Sequence, residues 1–348
     1  MAFIQGIKKD LKDIKYLKAI QRVFDDKPIH CNLFVTDKCN LDCHYCNEYD
    51  NSKPHPTLQD LQRRIDKIVD LGVIKIALVG GEPLLHPQIC DVVRYIKSKG
   101  LTASISTNGW LLKPAMVDRL VEAGLDIVQV SVDRKTESAV TRKCIDKIDN
   151  YIAYLMKTPI KVHIAGVLCA ATIDEAKDVL NYGLSREIPT ELRLLHGDAS
   201  GQLLTAAASA EKNREFIDLQ IKLKKEGKPV HTTKRILDYQ RETLDGKQTD
   251  WTCLAGYKIF FVSAQGDFWL CSQVRTEKKI EDVTAADLRS HNRKKKCQTH
   301  CGIYCVISNS LFAQNPLDYV GREIPCKIKQ MLRNLHGPHR DPYIPVEV

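Results

Sequence analysis

Three cysteines stand within eight residues near the start of the chain. Cys39, Cys43 and Cys46 follow a C-x3-C-x2-C spacing inside the run Thr-Asp-Lys-Cys-Asn-Leu-Asp-Cys-His-Tyr-Cys-Asn. Thiolates are the ligands that hold iron–sulfur cubes. Three protein ligands for four irons leave one iron open to a substrate or cofactor. A mononuclear zinc site needs a fourth ligand close by, and His44 is the nearby candidate. A second group, Cys253, Cys271, Cys297, Cys301, Cys305 and Cys326, crowds the last part of the 348-residue chain. Clusters of this kind point to metal or redox chemistry in a reducing compartment and to disulfides in an oxidising one. The remaining cysteines, Cys31, Cys90, Cys144 and Cys169, lie in apolar segments and read as small buried hydrophobes.

The compartment is read from what surrounds them. No uninterrupted apolar run approaches the length of a bilayer span. Charged residues from Lys8 onward break any secretory pattern at the N-terminus, so a cytoplasmic location is expected. The net charge of +9 is covered by solvated helix faces, and nucleic-acid binding is not implied by it. The basic run at 293–296 reads as a solvated turn. Residues 3–24 alternate apolar and basic side chains at helical spacing, giving an amphipathic helix. It is expected to pack on the following domain, with peripheral contact to a membrane or lipid substrate as the alternative.

The elements that must position the first cysteines follow a regular alternation. Strands are expected over 29–36, 73–79, 102–106, 127–132, 160–168 and 192–195, each with near-continuous apolar character. Helices are expected over 58–71, 88–99, 114–123, 139–155 and 173–182. Six strand–helix units imply an α/β fold with a parallel sheet covered by helices, too short to close an eight-fold barrel. The expected architecture is therefore a partial (β/α)6 barrel over 28–200 after an N-terminal helix at 1–27. A charged helical bridge over 201–249, a small cysteine-rich domain over 250–330 and a tail over 331–348 complete it. Ligand sites of such sheets lie at the C-terminal ends of the strands, where the informative motifs fall.

Gly80-Gly81-Glu82-Pro83 follows the second strand, Ser106-Thr107-Asn108-Gly109 ends the third, and Ser131 and Asp133 end the fourth. Each alone is an ordinary turn. Together with the cysteine spacing and the aromatic Tyr45 before the third cysteine, one per βα unit, they resemble the radical SAM superfamily. The resemblance implies a [4Fe–4S] cluster on Cys39, Cys43 and Cys46 whose open iron chelates S-adenosyl-L-methionine. It also implies contacts from the Gly80, Gly81, Glu82 and Pro83 segment to the methionine end. Tyr45 would lie near the adenine, with Ser106, Asn108, Ser131 and Asp133 around the ribose or carboxylate. An electron would then break the sulfonium bond to give methionine and a 5′-deoxyadenosyl radical, with the cofactor carrying the chemistry. A reductant such as flavodoxin or ferredoxin is the implied electron donor.

The C-x12-G-x4-C pattern of Cys253, Gly266 and Cys271 resembles the auxiliary-cluster extension of SPASM and twitch members. The downstream block, C-x3-C-x3-C, departs from the full two-cluster pattern. One auxiliary [4Fe–4S] cluster is expected, held by about four of the six distal cysteines, against a zinc site or two clusters with a borrowed ligand. The expected reaction is oxidation, rearrangement, adenosyl transfer or C–C bond formation on a small molecule or lipid. Alternatives are peptide maturation, RNA modification or a non-catalytic iron–sulfur protein. No side chain is singled out as acid or hydrogen donor, since Cys169 and Tyr304 read first as packing.

Overall fold

Alternation along the strands builds the sheet. In β1 (His30–Thr36), Cys31, Leu33 and Val35 are fully buried on one face, while His30, Asn32 and Phe34 occupy the other. The computed structural model describes residues 21–195, 207–247, 249–297 and 301–335. Strands β2 (Lys75–Gly80), β3 (Thr102–Thr107), β4 (Ile127–Ser131), β5 (Lys161–Leu168) and β6 (Thr190–Leu194) follow in parallel, each paired to its predecessor. Between them run α1 (Leu58–Asp70), α2 (Ile89–Ser98), α3 (Pro114–Glu122), α4 (Ile145–Leu155) and α5 (Ala176–Ser185). Their apolar faces cover one side of the sheet with residues such as Leu61, Ile65, Val93, Leu120, Ile148 and Val179.

The sheet has nine strands in the order β6-β5-β4-β3-β2-β1-β7-β8-β9 and does not close. It is the partial (β/α)6 barrel that the alternation predicts. The expected bridge forms helices α6 (Ala207–Lys225) and α7 (Lys234–Leu244). Strand β7 (Ile259–Val262) then pairs parallel with β1, and β8 (Asp267–Trp269) and β9 (Arg275–Lys279) add antiparallel to it. These distal strands therefore extend the first sheet, with the Gly266 turn packed against Arg64 of α1.

Two segments differ from their sequence reading. Helix α4 begins only at Ile145, because Asp133 N–H and Thr141 Oγ1–H bind Lys143 O and Asp133 Oδ2 and hold 133–143 as a loop. The expected small cysteine-rich domain contains α8 (Ala285–Ser290), α9 (Tyr304–Gln314) and α10 (Pro316–Leu335), none of them among the helices expected, and α10 runs on into the expected tail. Helix α9 buries Val306, Ile307 and Leu311 against the core, which a coil could not do as compactly. The predicted N-terminal helix lies almost wholly outside the described residues, which include only its helical end at 21–24. Cys31, Cys90, Cys144 and Cys169 are buried as expected, and all thirteen cysteines are free of disulfides.

Candidate functional site

The loop leaving β1 is held largely by its own hydrogen bonds. Thr36 Oγ1 accepts from Lys38 N–H at 3.0 Å, Asn51 Oδ1 from Cys39 N–H at 2.9 Å, and Cys43 O from Cys46 N–H at 3.0 Å. The end of β2 grips the same loop. Gly81 N–H donates to Thr36 O at 3.1 Å and Glu82 N–H to Lys38 O at 2.7 Å. A Cβ on Gly81 would stand 2.3 Å from Lys38 O, and one on Gly80, at φ +147°, 2.1 Å from Thr36 O. Glycine is required here for the backbones to meet.

Glu82 is buried, and its carboxylate accepts from Thr107 Oγ1 at 2.7 Å, Asn108 N at 2.8 Å and Leu84 N at 3.1 Å. Burial raises its pKa against the pull of these donors. Asn108 Nδ2 in turn donates to Asn40 Oδ1 at 2.8 Å, inside the cysteine loop. The side chains of Glu82 and Asn108 thus lock the ends of β2 and β3 to the loop. The hydroxyls of Ser106 and Ser131 make no hydrogen bond among the described residues.

The fourth strand end supplies a second brace. Asp133 is buried and accepts from the Tyr45 hydroxyl, from Thr141 Oγ1 at 3.0 Å and from Val167 N–H at 3.1 Å. Thr141 Oγ1 also lies 3.3 Å from Cys43 Sγ. Tyr45 and Asp133, separate in the sequence reading, therefore form one network behind the cysteine loop.

Lys143 was not visible as a site residue. Its ammonium lies 5.3 Å from the Tyr45 ring centroid. Burial disfavours its charge, yet Tyr45, Asp133, Cys43 and Cys46 outweigh it and raise the pKa well above the usual value. Burial pushes the Cys39 thiol up to about 11 and also raises Cys46, and Lys143 opposes both. One fixed cation thus stands beside a thiol group that would have to lose its protons to bind iron. Lys143→Met is expected to weaken iron retention or the apparent affinity for S-adenosylmethionine by about 10–100-fold, as outer-shell partners of metal ligands do. Titration with a chelator and the KM for S-adenosylmethionine measure it, and wild-type values in both would refute the role.

The six distal cysteines separate into groups. Burial raises the Cys301 thiol strongly, and Cys253, Cys271 and Cys297 raise it further by their proximity. Cys253 and Cys297 likewise raise Cys271. Cys305 lies in the first turn of α9, where Asn32 Nδ2 donates to its sulfur at 3.4 Å, and of the distal thiols only Cys271 figures among its main influences. Cys326 lies on α10 among Glu323, Lys224, Lys234 and Lys329. No three cysteine sulfurs among the described residues lie within 4.8 Å of one another. A tetrahedral zinc–thiolate site with bonds of about 2.3 Å needs sulfurs about 3.8 Å apart, whereas a cube spreads its thiolates over separate irons.

The face of the sheet away from the helices carries polar side chains: Asn32, Lys75, Gln129, His163, Glu191 and Arg193. His163 stacks on His231 with ring centroids 4.1 Å apart, and their ring nitrogens lie with a Glu191 oxygen inside 4.8 Å. This trio is a poor cation site. Glu191 already accepts from Arg193 and from Thr232 Oγ1 at 2.8 Å. Burial lowers both histidines, and the Arg193 and Lys75 charges that lower them further would repel a bound cation. Period-2 alternation within each strand was the signal that could have found this face.

Residues 33–182 match the family profile described as the radical SAM superfamily. A GTP 3′,8-cyclase of Clostridium perfringens strain 13 is 29% identical over 262 residues, 71% of this chain and 76% of that protein. A probable GTP 3′,8-cyclase of Methanococcus maripaludis strain S2 is 30% identical over 161 residues, 43% of this chain and 53% of the relative. That of Chlorobaculum tepidum is 39% identical over 140 residues, 37% and 42% respectively. The chain spans about half the length of these last two. Among solved structures, SuiB of Streptococcus suis bound to precursor peptide SuiA aligns with a TM-score of 0.61 at 14% identity, covering 86% of this chain and 71% of that one. Native anSMEcpe with bound AdoMet aligns at 0.57 with 16% identity, covering 84% and 98%. Residues 33–182 thus form a radical SAM domain, the class of domain that works with a [4Fe–4S] cluster and S-adenosylmethionine.

Proposed function

We propose that the enzyme modifies a polar small molecule, with Cys39, Cys43 and Cys46 holding the cluster that binds S-adenosylmethionine. When bound, that pair supplies a 5′-deoxyadenosyl radical; the chain's own residues position it and keep water away. The Gly80–Gly81 backbone, Tyr45, Ser106 and Ser131 line the cofactor's place, while Glu82, Pro83, Asn108 and Asp133 hold that frame. Cys253, Cys271, Cys297 and Cys301 hold one auxiliary [4Fe–4S] cluster.

The observation that carries the substrate reading is the polar inner face of the sheet. Lys75, Gln129, His163, Glu191 and Arg193 lie below the strand ends, and a face of charged and amide groups, most of them hydrogen-bonded to one another, suits a polar guest better than a hydrocarbon chain. The named GTP cyclases, which by name act on a polar small molecule, support the same reading. The peptide-binding neighbours share the fold at 14–16% identity and support no more than that. Among the described residues no helix is long and apolar enough to cross a membrane. The lipid reading drew in part on residues 3–24, almost all of which lie outside the described residues. The test is formation of 5′-deoxyadenosine by reconstituted enzyme with dithionite, S-adenosylmethionine and cell extract partitioned between water–methanol and chloroform. The aqueous fraction is expected to stimulate turnover; stimulation by the chloroform fraction alone overturns the reading.

A further inference from the structure

Exposed large apolar side chains are concentrated on one face of α10. Of the seven among the described residues, five lie on this helix: Leu317 at 85%, Val320 at 45%, Ile324 and Ile328 at 51%, and Leu332 at 48%. Their spacing of three and four residues keeps them on one stripe, about 22 Å long at 1.5 Å per residue. The opposite face is packed. The Tyr319 ring meets that of Phe312 edge-on at 5.4 Å, Glu323 pairs with Lys224 at 3.1 Å, Cys326 is buried, and Arg333 donates to Glu187 at 2.8 Å. The stripe is therefore the outer face of a helix already docked. It presents about 500 Å² of apolar surface in one patch, a size that on a single chain is often functional.

The order of its residues suits one partner in particular. About Ile324 the stripe is symmetric, with Val320 and Ile328 four residues to either side and Leu317 and Met331 seven. Laid antiparallel on a copy of itself, the helix sets Ile324 against Ile324, Val320 against Ile328 and Leu317 against Met331. Such reciprocal pairing is what a two-fold axis demands. The charges along the borders agree. In this pairing Lys327 falls opposite Gly321, whose Cβ position is open space, and no two like charges meet. A parallel pairing would set Lys327 on Lys327. Residues 3–20 make a poorer cover, since they would bring Lys8, Lys12 and Lys15 to a stripe already bordered by Lys327 and Lys329. Like charges brought together at an interface cost affinity. We infer that α10 is a dimer interface, pairing antiparallel with α10 of a second copy of this chain about Ile324. Two such stripes bury about 1,000 Å², the lower bound of a specific interface.

The test is sedimentation velocity on the reconstituted holoenzyme, which is expected to be dimeric with a Kd of about 10 μM or tighter. Ile324→Lys puts two ammonium groups on the axis and should give monomer, with circular dichroism and iron content unchanged. Val320→Lys and Ile328→Glu, made separately, should each weaken the dimer by about tenfold or more. Combined, they should restore it to within about threefold of wild type, because each lysine then meets a glutamate of the other copy. The two cannot pair within one chain, since they stand about 12 Å apart along the helix. Wild-type enzyme that stays monomeric at about 100 μM overturns the proposal, and flotation of that monomer with anionic vesicles would assign the stripe to a membrane. A dimer that survives Ile324→Lys, or a double variant no tighter than the single ones, overturns it as well.

Discussion

Cys43→Ala is expected to reduce 5′-deoxyadenosine formation to the level of the enzyme-free reaction while leaving the protein folded. Cys43 is 6% exposed and sits behind the loop, 3.3 Å from Thr141 Oγ1, which Asp133 holds in turn. Its removal leaves two thiols, too few to keep a site-differentiated cube, so the chemistry has nowhere to start. The folding cost is small by comparison. One sulfur is lost from a loop held by hydrogen bonds to the Thr36 and Asn51 side chains and from Gly81 N–H, and a cavity of that size costs about 1 kcal/mol. Iron should fall from about eight to about four atoms per chain, the remainder belonging to the auxiliary cluster. Circular dichroism, iron content and product assay measure these separately. Full activity in a folded Cys43→Ala protein would falsify the assignment of this loop.

Much of that loop was legible because its chemistry is local. Thiol spacing and the glycine pair act over a few residues, and one sequence carries both. The reason for the glycines was only half visible, since close approach needs a partner backbone, which proves to be that of Thr36 and Lys38. Lys143 was hidden for a different reason. Val140, Cys144, Ile145, Ile148 and Ile152 present a helical apolar period, so 139–155 read as one helix. The Asp133–Thr141 hydrogen bond, a tertiary effect, overrides that pattern and brings Lys143 to the thiols. The inner face escaped because strands read as near-continuous apolar runs conceal single polar residues such as Gln129 and Glu191. That β7 would pair with β1 could not be read at all, because either edge of an open sheet accepts a strand.

The distal cysteines show the limit most clearly and give the second large effect. By spacing alone, Cys297, Cys301 and Cys305 form one block. In the fold, Cys305 falls in the first turn of α9 and lies by Asn32 on the inner face, while Cys301 stays with Cys253, Cys271 and Cys297. Cys301→Ala is therefore expected to remove the auxiliary cluster, lowering iron from about eight to about four per chain. Cleavage of S-adenosylmethionine should continue without substrate, because the first site is untouched, while conversion of substrate is lost. Cys326→Ala is expected to leave iron unchanged, since that thiol's charged neighbours are Glu323, Lys224, Lys234 and Lys329 and no other cysteine is among them. The comparison separates a ligand from a bystander within one group of six. Retention of about eight irons by the Cys301→Ala protein, or loss of about four from the Cys326→Ala protein, would sink the four-cysteine set. A fall of about four irons in Cys305→Ala would exchange its membership with that of Cys297, drawing the auxiliary cluster towards the inner face beside Arg193.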